Sequence, residues 1–458
     1  MKFLDMFFNK SINTKNKEKL TKDEIANLLN ISTEAYIEFE RSYKKYALDT
    51  DTNIRKETGI IPNFDENMST LIRKIVDELT IQTNKLYCTA DGVRLIDFPI
   101  HLGRILTPED ISYLPIEKRP QLLGNYMTIQ TSGGATETIL WYYKKYLETR
   151  DIQFYNHFRQ GLDILDIEPL MYEMLKLDPN TMSKWLPPII EANKRDKFFK
   201  IPETSIIQVP VSMLQLSRID YELINDITKE ILNLYCREIF KLDKNKEYFV
   251  KTGTFSSKFD FRNAHVCKNE VNAIGEYLLF LSNQAVCMAG PACKPSIYGV
   301  SSNNEWVVRE YIPDAEDNPC IYKGLPLRTE YRVFIDCDAK EVLGVVDYWD
   351  RDLLKKRFSQ YEDANSPHSI HDYIVIEKHR EVMDRRFSEN KVMIENKVKD
   401  LLKNLSLKGQ WSLDIMQNGK DFYIIDMGIA YNSALKDKLP ENIVIKNFEN
   451  SWLPKLPI

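Results

Sequence analysis

The chain has 458 residues, of which 43% are hydrophobic and 28% charged, and its formal net charge is −5. This is the composition of an ordinary globular protein, and the length allows about two to four domains. The slightly acidic balance excludes a broad basic surface, so we expect no nucleic-acid partner. No apolar run approaches the roughly 18 residues of a membrane span, so we expect no membrane partner either.

The cysteines and the N-terminal residues indicate the cellular compartment. The seven cysteines include no CxxC pair, which argues against a zinc finger or a disulfide framework. The opening stretch MKFLDMFFNK lacks the long apolar core of a signal peptide, because Asp5 interrupts it. These features predict reduced cysteines and a cytoplasmic protein.

Residues 1–180 are predicted to form a mainly helical region. Thr21 and Glu24 match a capping box, and apolar residues at helical spacing follow them and recur over residues 66–81. Two short helices near residues 21–46 could be a DNA-reading helix-turn-helix. Acidic side chains on the second helix would repel phosphates, which favours a plain helical pair.

A glycine-containing loop, Thr131-Ser132-Gly133-Gly134, precedes a predicted helix over residues 136–148. Such a loop can hold a phosphate at the helix N-terminus. No valine- or isoleucine-rich strand precedes it, so a plain linker is the favoured interpretation.

Residues 181–435 are predicted to form a second, mixed domain, followed by a C-terminal tail over residues 436–458. Short apolar runs alternate with helices, a pattern that indicates an α+β fold with antiparallel hairpins. The charged, amphipathic run 377–403 predicts a helix packed on a sheet. The predicted strands cover residues 205–209, 248–251, 305–312, 331–336, 342–348, 411–416 and 422–427.

The strand ending at Lys251 delivers a lysine to a loop rich in Gly, Thr and Ser. A buried lysine is unfavourable unless an anion pairs with it, and the loop offers donors that suit phosphate. We therefore predict that Lys251, Ser256 and Ser257 bind phosphate, with Lys258 and Arg262 as further contacts to ATP or to an acceptor. A surface lysine before a turn is the alternative.

Two further strands carry candidate ligand contacts. The strand 305–312 ends before Pro313 and could present Arg309, Glu310, Tyr311 and Ile312 to an adenine, although a plain core strand has the same pattern. In the other strand, alternation places Glu330 and Arg332 on one face. Arg332 is predicted to hold a phosphate bidentately, and a surface ion pair is the alternative.

The hairpin over residues 411–427 places an aspartate in each of two apolar strands. Asp414 and Asp426 would be unfavourable in a buried sheet unless a cation joins them, and magnesium prefers such oxygen ligands. The two share a face only if the loop has an odd number of residues, so we predict a loop of three or five residues. A two-residue turn would place them on opposite faces.

These segments together resemble the ATP-grasp superfamily, and more narrowly the cell division cycle protein 123 family, over about residues 185–435. The matching segments are Trp185-Leu186-Pro187, Lys251 with Ser256-Ser257, Arg309-Glu310-Tyr311, the strand from Glu330 to Ile335, and the aspartates Asp414 and Asp426.

The resemblance implies an ATP-grasp fold of two α+β subdomains with antiparallel sheets, with ATP and Mg²⁺ bound between them. Lys251 and Arg332 would hold phosphates and take part in catalysis. The family ends in an Asp-x-Asn motif whose asparagine is a metal ligand, but here the residues are Asp426-Met427-Gly428. Asn432 is the candidate replacement.

The function that follows is an ATP-dependent carboxylate–amine ligase whose acceptor, a small molecule or a protein, is unknown. The first alternative is a non-enzymatic ATP-dependent assembly factor, because the resembled family assembles translation initiation factor 2. The second alternative is a kinase.

Overall fold

The structure is a computed structural model, and it describes residues 84–97, 149–154, 178–209, 226–289, 301–360 and 367–447, with a few isolated residues besides. The helices predicted within residues 21–46, 66–81 and 136–148 lie almost entirely outside these ranges, as does the loop around Gly133. No helix of the described residues is long and apolar enough to cross a membrane.

The strands and helices alternate along the chain. The strands are β1 (Asn84–Thr89), β2 (Gly92–Asp97), β3 (Thr204–Gln208), β4 (Tyr248–Thr252), β5 (His265–Val266), β6 (Glu305–Glu310), β7 (Cys320–Ile321), β8 (Leu325–Pro326), β9 (Glu330–Asp336), β10 (Glu341–Asp347), β11 (Gln410–Asn418) and β12 (Asp421–Ile429). The helices are α1 (Met182–Asn193), α2 (Asp226–Phe240), α3 (Ile274–Ala289), α4 (Arg351–Gln360) and α5 (Pro367–Leu402).

The first sheet has six strands in the order β2-β1-β3-β6-β4-β5, and its neighbouring strands are antiparallel. Its outer hairpin, β1–β2, comes from the region predicted to be mainly helical, so that expectation does not hold for residues 84–97. Leu86 lies opposite Ile206, and Cys88 is fully buried in the core. Pairing with β3, which is distant in the chain, stabilises this hairpin. The local hydrophobic pattern of residues 84–97 does not indicate such a contact.

The second sheet has four antiparallel strands in the order β10-β9-β11-β12. Tyr331, Val333 and Ile335, which alternation places on one face of β9, point into the core. Glu330 and Arg332 therefore lie on the opposite face of β9. The mixed α+β class with antiparallel sheets is confirmed.

One apolar core joins the two sheets. It contains Val307 from the first sheet and Leu413 from the second, together with Trp185 of α1. Ile394 and Val398 of α5 complete it, which confirms a helix over residues 377–403; the helix begins earlier than predicted, at Pro367.

The C-terminal segment beyond residue 435 also packs on the second sheet. A short 3-10 turn covers Lys436–Lys438, and Leu439 contacts Phe334 and Ala430. Partly buried Ile443 and Ile445 pack against the same cluster.

The β11–β12 hairpin corrects the predicted loop length. Asn418 pairs with Asp421, so the turn contains only Gly419 and Lys420, and Gly419 adopts the left-handed φ of 63° that the turn requires. The prediction of three or five residues is wrong. Asp414 nevertheless pairs with Asp426, because a β-bulge breaks the register between Asp414 and the next residue. A two-residue turn alone would place the two aspartates on opposite faces of the hairpin, and the bulge returns them to the same face.

Candidate functional site

A solvent-open cleft lies between the two sheets, and residues of both sheets line it. It brings together most residues that the sequence singled out. The residues that line it are Pro202, Phe249, Lys251, Ser256, Lys258, Phe261, Arg309, Glu310, Tyr311, Ile312, Leu325, Arg328, Glu330, Asp414, Met416, Ile425 and Asp426.

Lys251 stands near the end of β4, and it is only 2% exposed. Its Nζ lies 2.9 Å from Oδ1 of Asp426, whose side chain remains 45% exposed. Burial would raise the pKa of Asp426, but the Lys251 ammonium outweighs it and holds that pKa below its usual value. The buried lysine thus has an anionic partner, supplied here by the predicted metal ligand.

The loop after Lys251 is tightly built. Thr252 Oγ1 accepts the N–H of Phe255 at 2.9 Å. A Cβ at Gly253 would collide with Asn303 Oδ1, so the loop needs glycine there. Ser256 lines the cleft, whereas Ser257 is buried with a left-handed φ of 49° and does not line it.

Lys258 reaches the cleft, but Arg262 does not. Lys258 Nζ lies 4.0 Å from the ring centroid of Tyr348 and 3.9 Å from Glu330 Oε2. Arg262 makes a bidentate pair with Asp260 through Nε and Nη2, each at 2.9 Å. The predicted contact of Arg262 with ATP or an acceptor is therefore not supported by its placement.

Glu330 is a buried carboxylate in the cleft wall, and its Oε2 has no hydrogen-bond partner among the described residues. Burial raises its pKa above the usual value, against the opposing charge of Lys258. A buried carboxylate oxygen that lacks a hydrogen-bond partner is suited to bind a cation or a proton.

Arg332 and Asp414 form the second ion pair of the site. Arg332 Nε lies 2.8 Å from Oδ1 of Asp414, and Nη2 lies 2.7 Å from Oδ2. Arg332 Nη1 also donates to the Ala434 carbonyl at 3.2 Å. Asp414 lines the cleft, whereas Arg332 does not, so Arg332 stands behind the carboxylate.

Arg309 has a structural role that the sequence did not indicate. Its Nη1 donates to the Ile425 carbonyl at 2.6 Å and its Nη2 to the Ile424 carbonyl at 3.3 Å, both at the β12 bulge. Its Nε donates to Thr204 Oγ1 at 3.1 Å. Burial lowers the pKa of Arg309 to about 10, against the opposing effect of Asp426. The first sheet therefore holds the bulge that sets the register of the second.

The aromatic part of the cleft lining includes residues that sequence reasoning missed. Tyr311 and Ile312 line it, as predicted for an adenine-binding segment, and Phe249 and Phe261 add a stacked pair with centroids 6.1 Å apart. Arg328 fixes this segment by donating through Nη2 to the Ile312 carbonyl at 2.7 Å. Arg328 stands alone just before β9 and belongs to no periodic pattern, which explains why the sequence analysis did not select it.

Glu310 lines the cleft, but its carboxylate pairs with Lys246 at 3.1 Å on the surface. Asn432 lies in a 3-10 turn after β12, partly buried, and it is not among the cleft-lining residues. At Gly428, where the resembled motif has asparagine, a Cβ would meet only Asn180 Oδ1 at 3.7 Å. The backbone at Gly428 therefore has room for a Cβ.

The carboxylates that line the cleft are ligands of the type that magnesium prefers. Asp414, Asp426 and Glu330 supply carboxylate oxygens to one cleft, and one of those oxygens is buried without a hydrogen-bond partner among the described residues. Magnesium prefers such hard oxygen ligands and shares them with phosphate. The class of site is thus an inter-sheet cleft lined by paired cations and carboxylates and by aromatic rings.

Comparisons with known proteins add little to this description. No family model and no curated protein matches the chain. Among solved structures, C-terminally truncated Cdc123 from Schizosaccharomyces pombe is similar with a TM-score of 0.35 and 15% identity, over 60% of this chain and 94% of that chain. Cdc123 from the same organism gives 0.32 and 14%, over 56% and 85%. Scores this low establish neither fold nor function.

Proposed function

We propose that this protein binds ATP with magnesium in the inter-sheet cleft, in the manner of an ATP-grasp protein. The strongest support is that buried Lys251 and three carboxylates, Glu330, Asp414 and Asp426, line one cleft. Lys251, Lys258 and Ser256 would contact phosphates, and the carboxylates would hold the metal. Tyr311 and Ile312 would frame the adenine.

We further propose that ATP binding serves the assembly of a protein complex. The support is the ordered set of segments that resembles the cell division cycle protein 123 family, from Trp185 to Asp426. In such an assembly factor, the bound nucleotide stabilises one arrangement of the two sheets, and a protein partner binds to that arrangement.

A ligase or kinase is the second candidate, and Glu330 favours it. Its carboxyl is buried, has a raised pKa and faces the cleft with an oxygen that no described residue hydrogen-bonds. Such a group can move a proton at an acceptor during phosphoryl or acyl transfer. The acceptor, a small molecule or a protein, is not identified by the cleft.

ATP binding is tested with Lys251→Ala in the full chain, with Lys397→Ala as the control because Lys397 lies outside the cleft, where it pairs with Asp196 and lies over the Phe198 ring. Isothermal titration calorimetry should show loss of ATP binding in the first variant and unchanged binding in the second. Equal affinities in both would remove the site assignment.

Product analysis separates the two uses of ATP. Incubation with labelled ATP and a metabolite or peptide pool should leave ATP intact for an assembly factor. A ligase yields ADP with a joined product, and a kinase yields ADP with a phosphorylated acceptor. ADP formation by the wild-type protein would exclude the assembly-only use. If Glu330→Gln then abolishes turnover while magnesium-dependent ATP binding persists, a role of Glu330 in proton transfer rather than in metal binding is supported.

A further inference from the structure

A second cluster of metal-ligating side chains lies at the β4–β5 edge of the first sheet. Glu247, His265 and Cys267 each offer one ligand atom, and these atoms all lie within 4.8 Å of one another. His265 Nε2 lies 3.0 Å from Glu247 Oε2. None of the three lines the nucleotide cleft. We propose that they form a site for a divalent transition metal of the zinc class, distinct from the magnesium site.

The backbone of each ligand is held in place. The Glu247 carbonyl accepts the N–H of Tyr311 at 3.0 Å, and His265 pairs with Phe249 across β4 and β5. Cys267 precedes the 3-10 turn Lys268–Ala273 as its cap, and its N–H donates to Glu270 Oε2 at 3.0 Å. Three different contacts thus position the three ligands, so the cluster needs little rearrangement to receive an ion.

The ligand types select the metal. A thiolate, an imidazole and a carboxylate suit zinc and its neighbours in a tetrahedral site, whereas magnesium and calcium prefer oxygen ligands alone. Metal binding releases the thiol proton of Cys267 and replaces the contact between Glu247 and His265. The side chains of His265 and Glu247 are 16% and 34% exposed, so an ion and a fourth ligand from water have access.

The cluster also touches the wall of the cleft. The His265 ring stacks on the Tyr311 ring at a centroid distance of 4.1 Å, with 26° between the planes. Tyr311 lines the cleft, so a metal on His265 would fix this aromatic wall. That consequence rests on the proposed nucleotide site, but the metal site itself does not.

The test is titration of the full chain with Co²⁺ as a spectroscopic substitute for Zn²⁺, without nucleotide or magnesium. We expect a thiolate-to-cobalt charge-transfer absorption that Zn²⁺ removes by displacement. Cys267→Ser should abolish the absorption, and Cys287→Ser, at an exposed cysteine outside the cluster, should retain it. His265→Gln should weaken Co²⁺ binding by more than about tenfold.

Absence of the absorption in the wild-type protein, or its persistence in Cys267→Ser, would overturn the proposal. Circular dichroism of each variant without metal checks that it folds. If Cys267→Ser does not fold, Glu247→Gln serves as the second ligand variant. Lys251→Ala should keep the cobalt signal, because that residue belongs to the nucleotide cleft. A lost nucleotide site with a retained metal site, or the reverse, therefore distinguishes the two proposals.

Discussion

Lys251 and Asp426 form an ion pair across the cleft, with Nζ of one 2.9 Å from Oδ1 of the other. Arg332 and Asp414 form a second pair with two short contacts. Each of the two cations is therefore paired with a carboxylate predicted to hold magnesium. Of the two cations only Lys251 lines the cleft, so an exchange of partners on ligand binding concerns its pair. An ATP phosphate would replace Asp426 beside Lys251 and magnesium would replace Lys251 beside Asp426, so that neither charge is left unpaired.

This pairing predicts how ATP binding depends on magnesium. Asp426→Asn removes a metal ligand and also frees Lys251 from its partner. We expect the variant to bind ATP without magnesium at least as tightly as the wild-type protein, and to lose most of the gain that magnesium gives. Calorimetric titration with ATP, in EDTA and in excess Mg²⁺, measures both quantities.

The control for this comparison is Asp196→Asn, at a surface ion pair with Lys397. It should show the wild-type gain in affinity with magnesium. An Asp426→Asn protein with the same magnesium dependence as this control would contradict the partner exchange.

Local patterns in the sequence were sufficient to predict β3, β4, β6 and β9 to β12. Alternation along β9 separated Tyr331 from Glu330, and the structure places Tyr331 in the core and Glu330 in the cleft wall. For Lys251 the sequence left a buried and a surface lysine open, and the structure shows the buried one.

The register of the β11–β12 hairpin could not be derived in the same way. The facing of Asp414 and Asp426 depends on a bulge, and the bulge carbonyls are held by Arg309 from the other sheet. Strand alternation in residues 411–427 contains no information about that distant guanidinium. The β1–β2 hairpin was missed for the same reason, because its partner β3 lies more than a hundred residues along the chain, as in the pairing of Leu86 with Ile206.

The contact between Arg309 and the bulge gives a second prediction. Arg309→Met removes three hydrogen bonds, to Thr204 and to the carbonyls of Ile424 and Ile425. We expect a loss of about 2–4 kcal/mol in the free energy of unfolding, since these are bonds from a charged donor in a buried place. Urea denaturation of purified protein measures the change.

The same variant should bind ATP with magnesium more weakly, because the bulge sets the position of Asp426. Arg351→Met is the matched control, since Arg351 is exposed and pairs with Glu377 at the surface. A protein with Arg309→Met that kept both stability and magnesium-dependent ATP binding would show that the bulge does not need this arginine.

Glu305 makes the stability of the fold depend on pH. It is 1% exposed, and burial raises its pKa from 4.5 to about 7, although the Ser183 contact opposes the shift. The folded protein therefore keeps this proton at pH values where the unfolded chain has lost it. Below about pH 4.5 Glu305 is protonated in both states and does not affect the free energy of unfolding. As the pH rises from there to about 7, the free energy of unfolding falls by roughly 3 kcal/mol in total.

Glu305→Gln should remove that share of the pH dependence, so that its stability relative to wild type increases from pH 5 to pH 8. Denaturation midpoints across this range measure the effect, with Glu341→Gln at an exposed site of β10 as the control. Parallel curves for Glu305→Gln and wild type would mean that this carboxyl is ionised in the folded protein throughout.

The space at Gly428 gives the last prediction. A Cβ there would meet only Asn180 Oδ1, at an ordinary contact distance of 3.7 Å, so a Cβ fits without displacing the backbone. Gly428 lies two residues after Asp426, where the resembled motif has its metal-binding asparagine. Alternation places the two positions on the same face of β12.

Gly428→Asn should therefore add an amide oxygen to the magnesium ligands and increase the magnesium-dependent gain in ATP affinity several-fold. Gly428→Ala is the matched control, because it fills the same space without offering a ligand. Titration of ATP at fixed magnesium concentrations compares the three proteins. If asparagine and alanine give the same magnesium dependence, the ion does not lie beside residue 428, and the metal would be held from the side of Asp414 and Glu330 instead.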